Sequence, residues 1–375
     1  MSDASTPRRR LRRALLLAAA CLSAPAWGQQ AAGPAPVVVG VAAPLSGSEA
    51  ILGEQLRDGA EAAVARLTGA AGSVETVTAD TACSTEGGRQ AAETFVATNV
   101  TVVVGFLCTE AIEAALPILR EASIPTLDVG VRANRLTDRR ERTGDLVWRI
   151  APRSDAEAAS VARTLAARWR DQPFGLVEDG SITARGLTDT VRRLLEEQGM
   201  VPQTIDNYRP AEEKQFALVR RLERTGITRF FIAGDRPDVA TIARDAAELG
   251  LALEIVGGES LLDEASIDVP LPDGIVAVAP RMRFPELNGG ADASSPADDT
   301  APRGYYSPAY AATEIAVAAV RAARESGRAI PALLQSEAFA TALGTVRFDA
   351  KGDSDLDVYR VLVWRGDHFA DDAGG

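Results

Sequence analysis

Short apolar runs rich in β-branched residues alternate with amphipathic helical stripes along most of the chain. The first run, Val37-Val38-Val39-Gly40-Val41-Ala42-Ala43, is continuous, the pattern of a strand buried on both faces of a parallel sheet. A loop, Pro44-Leu45-Ser46-Gly47, leads into a helix with Leu56, Ala60, Val64 and Leu67 on one stripe. Further strands are expected at Val74–Thr78, Val100–Phe106, Thr126–Val129, Leu146–Ile150, Gly175–Val177, Phe230–Ala233 and Ile275–Ala279. Helices are expected around residues 86–98, 110–121, 155–169, 186–198, 213–224 and 237–249. Gly199, Gly226 and Gly250 stand just past three of these, where a left-handed terminator is wanted. This alternation predicts an α/β architecture built on parallel sheets. A chain of 375 residues has room for two or three such units, each with its own core. Leu287 to Pro302, rich in Gly, Ala, Ser and Asp, reads as a flexible surface insertion (287–302). Near the end, Asp357 to Trp364 followed by Arg365-Gly366-Asp367 reads as a hairpin.

Residues 1–28 read as a leader. Arg8-Arg9-Arg10-Leu11-Arg12-Arg13 precedes the apolar run Ala14 to Leu22, which is too short to span a bilayer. Cleavage is expected after Gly28, with Ala26 as the alternative; Cys21 offers a lipid-acceptor alternative, and the paired arginines permit a twin-arginine route. With no later run of eighteen apolar residues, the chain is expected to be exported and periplasmic rather than membrane-spanning.

The balance of 52 acidic against 40 basic side chains, net −12, disfavours nucleic acid and anionic membrane surfaces as partners. The single histidine, His368, removes multi-histidine metal sites, and its place in the terminal hairpin suits an exposed side chain better than a catalytic one. Gly87-Gly88 and Gly257-Gly258 form neither a dinucleotide fingerprint nor a phosphate loop, and Ser46-Gly47 lacks the frame of a nucleophile elbow. Glu212-Glu213 reads as a solvated helix start. No cofactor, metal or catalytic group is expected. Cys83 and Cys108 follow the second and third expected strands, at the same carboxyl edge of a parallel sheet. They are either a disulfide or two buried thiols, and the oxidising side of the membrane favours the bridge.

Several segments, in order, carry a resemblance. They are Val39-Gly40-Val41-Ala42-Ala43-Pro44-Leu45-Ser46-Gly47, Gly53 to Glu61, Asp80-Thr81-Ala82-Cys83, Val103 to Cys108, Trp148 to Asp155, and Phe348-Asp349-Ala350-Lys351-Gly352-Asp353. Together they resemble the periplasmic leucine/isoleucine/valine-binding proteins, and the cysteine spacing is similar to that of the family's disulfide. The resemblance implies two doubly wound parallel-sheet lobes joined by three crossovers, the type I binding-protein fold. It implies residues 37–149 and 278–345 in lobe 1 and 152–274 and 350–370 in lobe 2, with crossovers near Arg149–Pro152, Gly274–Ala277 and Thr345–Ala350. It further implies a non-enzyme: a monomeric receptor that closes on a small ligand and delivers it to an ABC permease.

Carried over residue by residue, the resemblance gives a candidate site. Thr109, after Cys108, matches the hydroxyl residue that holds the ligand carboxylate, and it opens a helix whose free N–H groups favour an anion. The same residue would serve equally well as a plain cap. Glu259 matches the acid that pairs with the ligand ammonium, or is a surface acid opening a short helix. Tyr305 matches an aromatic of the far wall, or packs between lobes; Leu52 and Leu107 match first-lobe lining positions, or are core. Three positions depart from the pattern. Gly130-Val131-Arg132 stands where small residues and a threonine are usual, and Thr183 and Asp235 stand where two tyrosines are usual. Arg132 cannot accept a hydrogen bond and repels an ammonium. Either it turns away, toward Asp128 or Asp235, or the ligand is a small organic acid, an acidic amino acid or an amide. The alternatives are the sensing module of a signalling system on the same fold and a secreted α/β enzyme.

Overall fold

The computed structural model describes residues 35–69, 72–262, 269–281, 287 and 304–372. The expected leader 1–28, Cys21 within it, and all of the 287–302 insertion except Leu287 lie outside the described residues.

The chain begins β1 Val37–Ala43, α1 Ala50–Leu67, β2 Val74–Asp80, α2 Thr85–Ala97, β3 Val102–Gly105, α3 Thr109–Glu121 and β4 Thr126–Asp128. The single turns α4 Arg135–Asp138 and α5 Arg140–Thr143 then lead to β5 Val147–Arg149. These five strands form one parallel sheet in the order β2-β1-β3-β4-β5. The side-chain period of two splits its core: Val37, Val39, Val41 and Ala43 face a cluster with Leu56 and Ala60, whereas Ala42 and Val103 face one with Phe95 and Ile112. Helices therefore cover both faces, which is why the strands read as unbroken apolar runs.

The second part runs α6 Ala156–Trp169, β6 Gly175–Glu178, α7 Ile182–Glu196, β7 Thr204–Asn207, α8 Phe216–Thr225, β8 Arg229–Ala233, α9 Arg236–Glu248, β9 Glu254–Gly257 and β10 Val276–Pro280. It is followed by α10 Tyr306–Ser326, α11 Ile330–Ser336, β11 Phe339–Thr341, β12 Gly344–Val346, β13 Tyr359–Arg365 and β14 His368–Asp371. The second sheet has the order β14-β13-β10-β9-β8-β6-β7. Its parallel part repeats the winding of the first sheet, and the β13–β14 hairpin is added antiparallel at the β10 edge. The hairpin turns at Gly366, whose φ of +65° suits glycine. Alternation again divides the core. Phe231 and Ala233 pack with Val161 and Leu195, and Phe230 and Ile232 with Val219 and Val239.

Core membership shows where the chain passes between the two sheets. Ile150 belongs to the first core and Ala158 to the second. The crossover expected at Gly274–Ala277 falls instead inside the second sheet, because β10 pairs with β9 and β13. The chain leaves only after Pro280, and α10 is back on the first core through Ala309, Ala312, Ile315 and Ala316. The last crossing also comes later than expected: Phe348 and Leu356 lie with the first core, Val358 and Tyr359 with the second. β10 is apolar to its end, so composition does not mark the exit there.

A charged network ties two of these passages together. Fully buried Arg149 donates to Asp353 Oδ1 from Nε at 2.8 Å and to Thr137 Oγ1 from Nη2 at 2.7 Å. Arg153 donates to Asp353 Oδ2 at 2.8 Å. Two guanidinium groups from the first passage thus hold one carboxylate of the last.

Candidate functional site

The carboxyl ends of β1 and β3 meet at the point where the strand order reverses, the position at which open α/β sheets hold ligands. After β3 the backbone turns sharply: Gly105 has φ +128° and Phe106 φ +64°. A Cβ at Gly105 would sit 2.2 Å from the Ala42 carbonyl oxygen. The left-handed Phe106 is a strained conformation held by its complete burial. The turn delivers Leu107, Cys108 and Thr109 to the start of α3. Cys108 is bonded to Cys83, with Cα atoms 5.2 Å apart, which pins this helix start to the loop after β2. Cys108 occupies the cap position without a side-chain cap bond, and helix geometry leaves the N–H groups of the first turn without intrahelical partners. Together with the helix dipole these favour an anion.

Beside this turn lies Gly130. A Cβ there would come within 2.5 Å of Leu107 Cδ2 and 2.9 Å of Tyr305 Cε1, so glycine is what lets Leu107 and Tyr305 close up. Tyr305 enters from the start of α10, its N–H donating to Gln55 Oε1 at 3.3 Å. Burial raises its phenol. Asp128 ends β4 beneath them, fully buried, with Oδ1 accepting from Val131 N–H at 3.0 Å. Burial holds that carboxyl well above the usual carboxylate range, and its Oδ2 has no partner among the described residues.

Arg132 extends from the first sheet to the second. Its Nη1 donates to Glu259 Oε1 at 2.6 Å and its Nη2 to the hydroxyl of Tyr359. Tyr359 in turn donates to Glu259 Oε2 at 3.2 Å, so the three side chains close a ring. Burial opposes the charge of Arg132, but Glu259 and Tyr359 outweigh it and hold the guanidinium above its ordinary range. Both members of the ion pair keep 30% side-chain exposure, so solvent and small molecules can reach them. Behind them Glu157 accepts the Glu259 N–H at 2.9 Å. Burial, then the charge of Glu259, pushes the Glu157 carboxyl up to about 7.

Comparison with known proteins shows which family has this sequence pattern and fold. The sequence pattern of the family described as periplasmic binding protein matches residues 36–367. The chain belongs to the periplasmic binding protein family. This periplasmic binding protein is 27% identical over 343 residues to Leu/Ile/Val-binding protein homolog 2 of Brucella abortus (strain 2308), covering 88% of this chain and 91% of the relative. Its fold matches an ABC transporter substrate-binding protein from Desulfitobacterium hafniense solved in complex with Leu, with TM-score 0.64, 20% identity, and 90% and 100% of the two chains covered. It also matches an ABC transporter solute-binding protein from R. palustris in complex with 4-hydroxybenzoate, with TM-score 0.59, 16% identity, and 90% and 96% covered. The family is one of solute-binding proteins, not enzymes.

Of the residues singled out in the sequence, Leu107, Gly130 and Tyr305 are brought into contact, and Arg132 and Glu259 form an ion pair. Cys108 and Thr109 stand at the adjoining helix start, and Leu52 is half-buried in the first turn of α1. Thr183 and Asp235 are exposed at the starts of α7 and α9, with no hydrogen bond to the Arg132 group among the described residues. Asp235 lies instead near Tyr208 and Asp238. Arg132 therefore pairs with neither Asp128 nor Asp235, the two partners considered from sequence. Tyr359 and Glu157 were not anticipated. The first reads as one more hairpin residue and the second as an acid favouring a helix dipole. His368 is exposed beside the Asp367 carboxylate, Nδ1 2.8 Å from Oδ1. No helix among the described residues is long and apolar enough to cross a membrane.

Proposed function

We propose that this periplasmic binding protein captures a small carboxylate-bearing molecule, an amino acid or an organic acid, between its two lobes and delivers it to the membrane subunits of an ABC importer. The observation that carries the reading is the meeting of Arg132 from the first sheet with Glu259 and Tyr359 from the second. A cleft lined from both sides by polar groups closes by rotation about the crossovers. The start of α3, with Thr109, acts as the anion cradle on the first lobe. Leu107, Gly130 and Tyr305 form an apolar wall beside it. Two fold neighbours were solved with Leu and with 4-hydroxybenzoate, which share a carboxylate, while only Leu carries an ammonium. The leader read from residues 1–28 sends the protein to the periplasm, where it works as a monomer that offers both lobes to its permease.

A thermal-melting screen against amino acids, aliphatic acids, aromatic acids and their amides tests this. A ligand at 100 times its dissociation constant stabilises by about 2.7 kcal/mol. At least one carboxylate class is expected to raise the melting temperature, with the matching amide inactive. A screen in which no small carboxylate stabilises the protein would overturn the reading.

A further inference from the structure

We infer that Arg132 fills, with the chain's own guanidinium, the place where a ligand cation would meet Glu259, so that the protein takes carboxylates lacking an α-ammonium group and discriminates against α-amino acids. This rests on the small-carboxylate reading above and narrows it.

The argument begins with Glu259. Both of its carboxylate oxygens are engaged, Oε1 by Arg132 and Oε2 by the Tyr359 hydroxyl, and its backbone N–H is held by Glu157. Its charge is compensated by a fixed cation 2.6 Å away. An incoming ammonium would have to break that pair and then remain next to a guanidinium that never gives up its proton. In a partly buried cleft that repulsion is screened far less than in water. The other nearby acids offer no substitute. Asp128 is fully buried beneath the wall. Glu157 already accepts the Glu259 N–H and lies close to its neutral form.

What this arrangement does present is a donor surface. A guanidinium carries five N–H bonds in a planar fork. Arg132 spends one on Glu259 and one on Tyr359, while its Nε–H is buried with no acceptor among the described residues. A ligand acceptor that reaches this fork gains charge-assisted bonds without disturbing Glu259. Glu259 and Tyr359 thus act as positioning residues that hold Arg132 toward the cleft, and Arg132 sets specificity.

Calorimetric titration with matched pairs that differ only in the ammonium tests the inference: leucine against 4-methylpentanoate, phenylalanine against 3-phenylpropanoate, glutamate against glutarate. The wild-type protein is expected to bind the ammonium-free member of the preferred pair at least tenfold more tightly. In Arg132→Thr the preference is expected to shrink or invert, because Glu259 is released for the amino-acid member. The wild-type comparison stands by itself if the variant fails to fold. Equal or tighter binding of the amino-acid member by wild type, or an unchanged preference in a folded Arg132→Thr protein, would overturn this inference alone. Binding of neither member of any pair would remove it together with the small-carboxylate reading.

Discussion

Glu157 and Glu259 share one small volume, and the protein accommodates them by making one of them hard to ionise. With the Glu157 carboxyl pushed up to about 7 from an ordinary 4.5, the folded chain holds a proton that the unfolded chain releases. Stability from this group is therefore complete at acid pH and is lost as pH rises from about 4.5 through about 7. Across that interval, at 1.36 kcal/mol per pH unit, the loss is on the order of 3 kcal/mol. Glu157→Gln keeps an oxygen for the Glu259 N–H and removes the titration. Urea unfolding at stepped pH is expected to show the variant gaining on wild type by about 3 kcal/mol between pH 4.5 and 8. Parallel curves for the two proteins would contradict the assignment. At this scale Arg132 was conspicuous in the sequence because it departs from a pattern, and Glu259 because it follows one. Tyr359 and Glu157 gave no such signal. Their role depends on two lobes meeting, and nothing in the residues flanking either one records that.

The helices carry a second kind of information, in the small residues that allow them to approach. Gly59 on α1 stands where a Cβ would lie 2.0 Å from the Tyr306 carbonyl oxygen at the start of α10. The obstacle is backbone, so it cannot rotate aside. Gly59→Ala is expected to destabilise the protein by about 1–3 kcal/mol despite its better helix propensity, measured as a lower urea midpoint at unchanged slope. A variant as stable as wild type would show that the two helices have room to separate. Because α10 follows directly from Tyr305, the same contact also fixes one wall of the site. The strands and helices with strong periodicity were legible: α2, α3, α6 and α9 fall within a few residues of expectation, and Gly226 and Gly250 take the left-handed conformation expected of them. The elements that were missed have weak signatures. β9 has only Ile255 and Val256 between Glu254 and Gly257, and β7 is an edge strand with Ile205 exposed. Alanine is the commonest residue on the buried face of α10, and it marks a helix stripe poorly.

At the scale of the whole molecule, two sheets of the same winding are linked by passages that the sequence places only approximately. The strands of the first sheet follow from chain alternation, whereas their order emerges only in the structure and the candidate site residues came from the family resemblance. Where the chain leaves the second sheet does not follow from alternation, since β10 is as apolar as a first-lobe strand and its partners β9 and β13 are 20 and more residues away in sequence. The Arg149–Asp353–Arg153 network is where two of these passages meet, one carboxylate held by two guanidinium groups. The central claim is that the molecule grips one small carboxylate between the lobes, against Arg132 on one side and the start of α3 on the other. A crystal structure with the tightest acid from the melting screen tests it most directly. The account predicts the ligand carboxylate within hydrogen-bond distance of the Arg132 guanidinium or the first-turn N–H groups of α3, with atoms of both lobes in contact and the Arg132–Glu259 pair intact. A ligand held by one lobe alone, or one whose ammonium sits on Glu259 with Arg132 displaced, would contradict it.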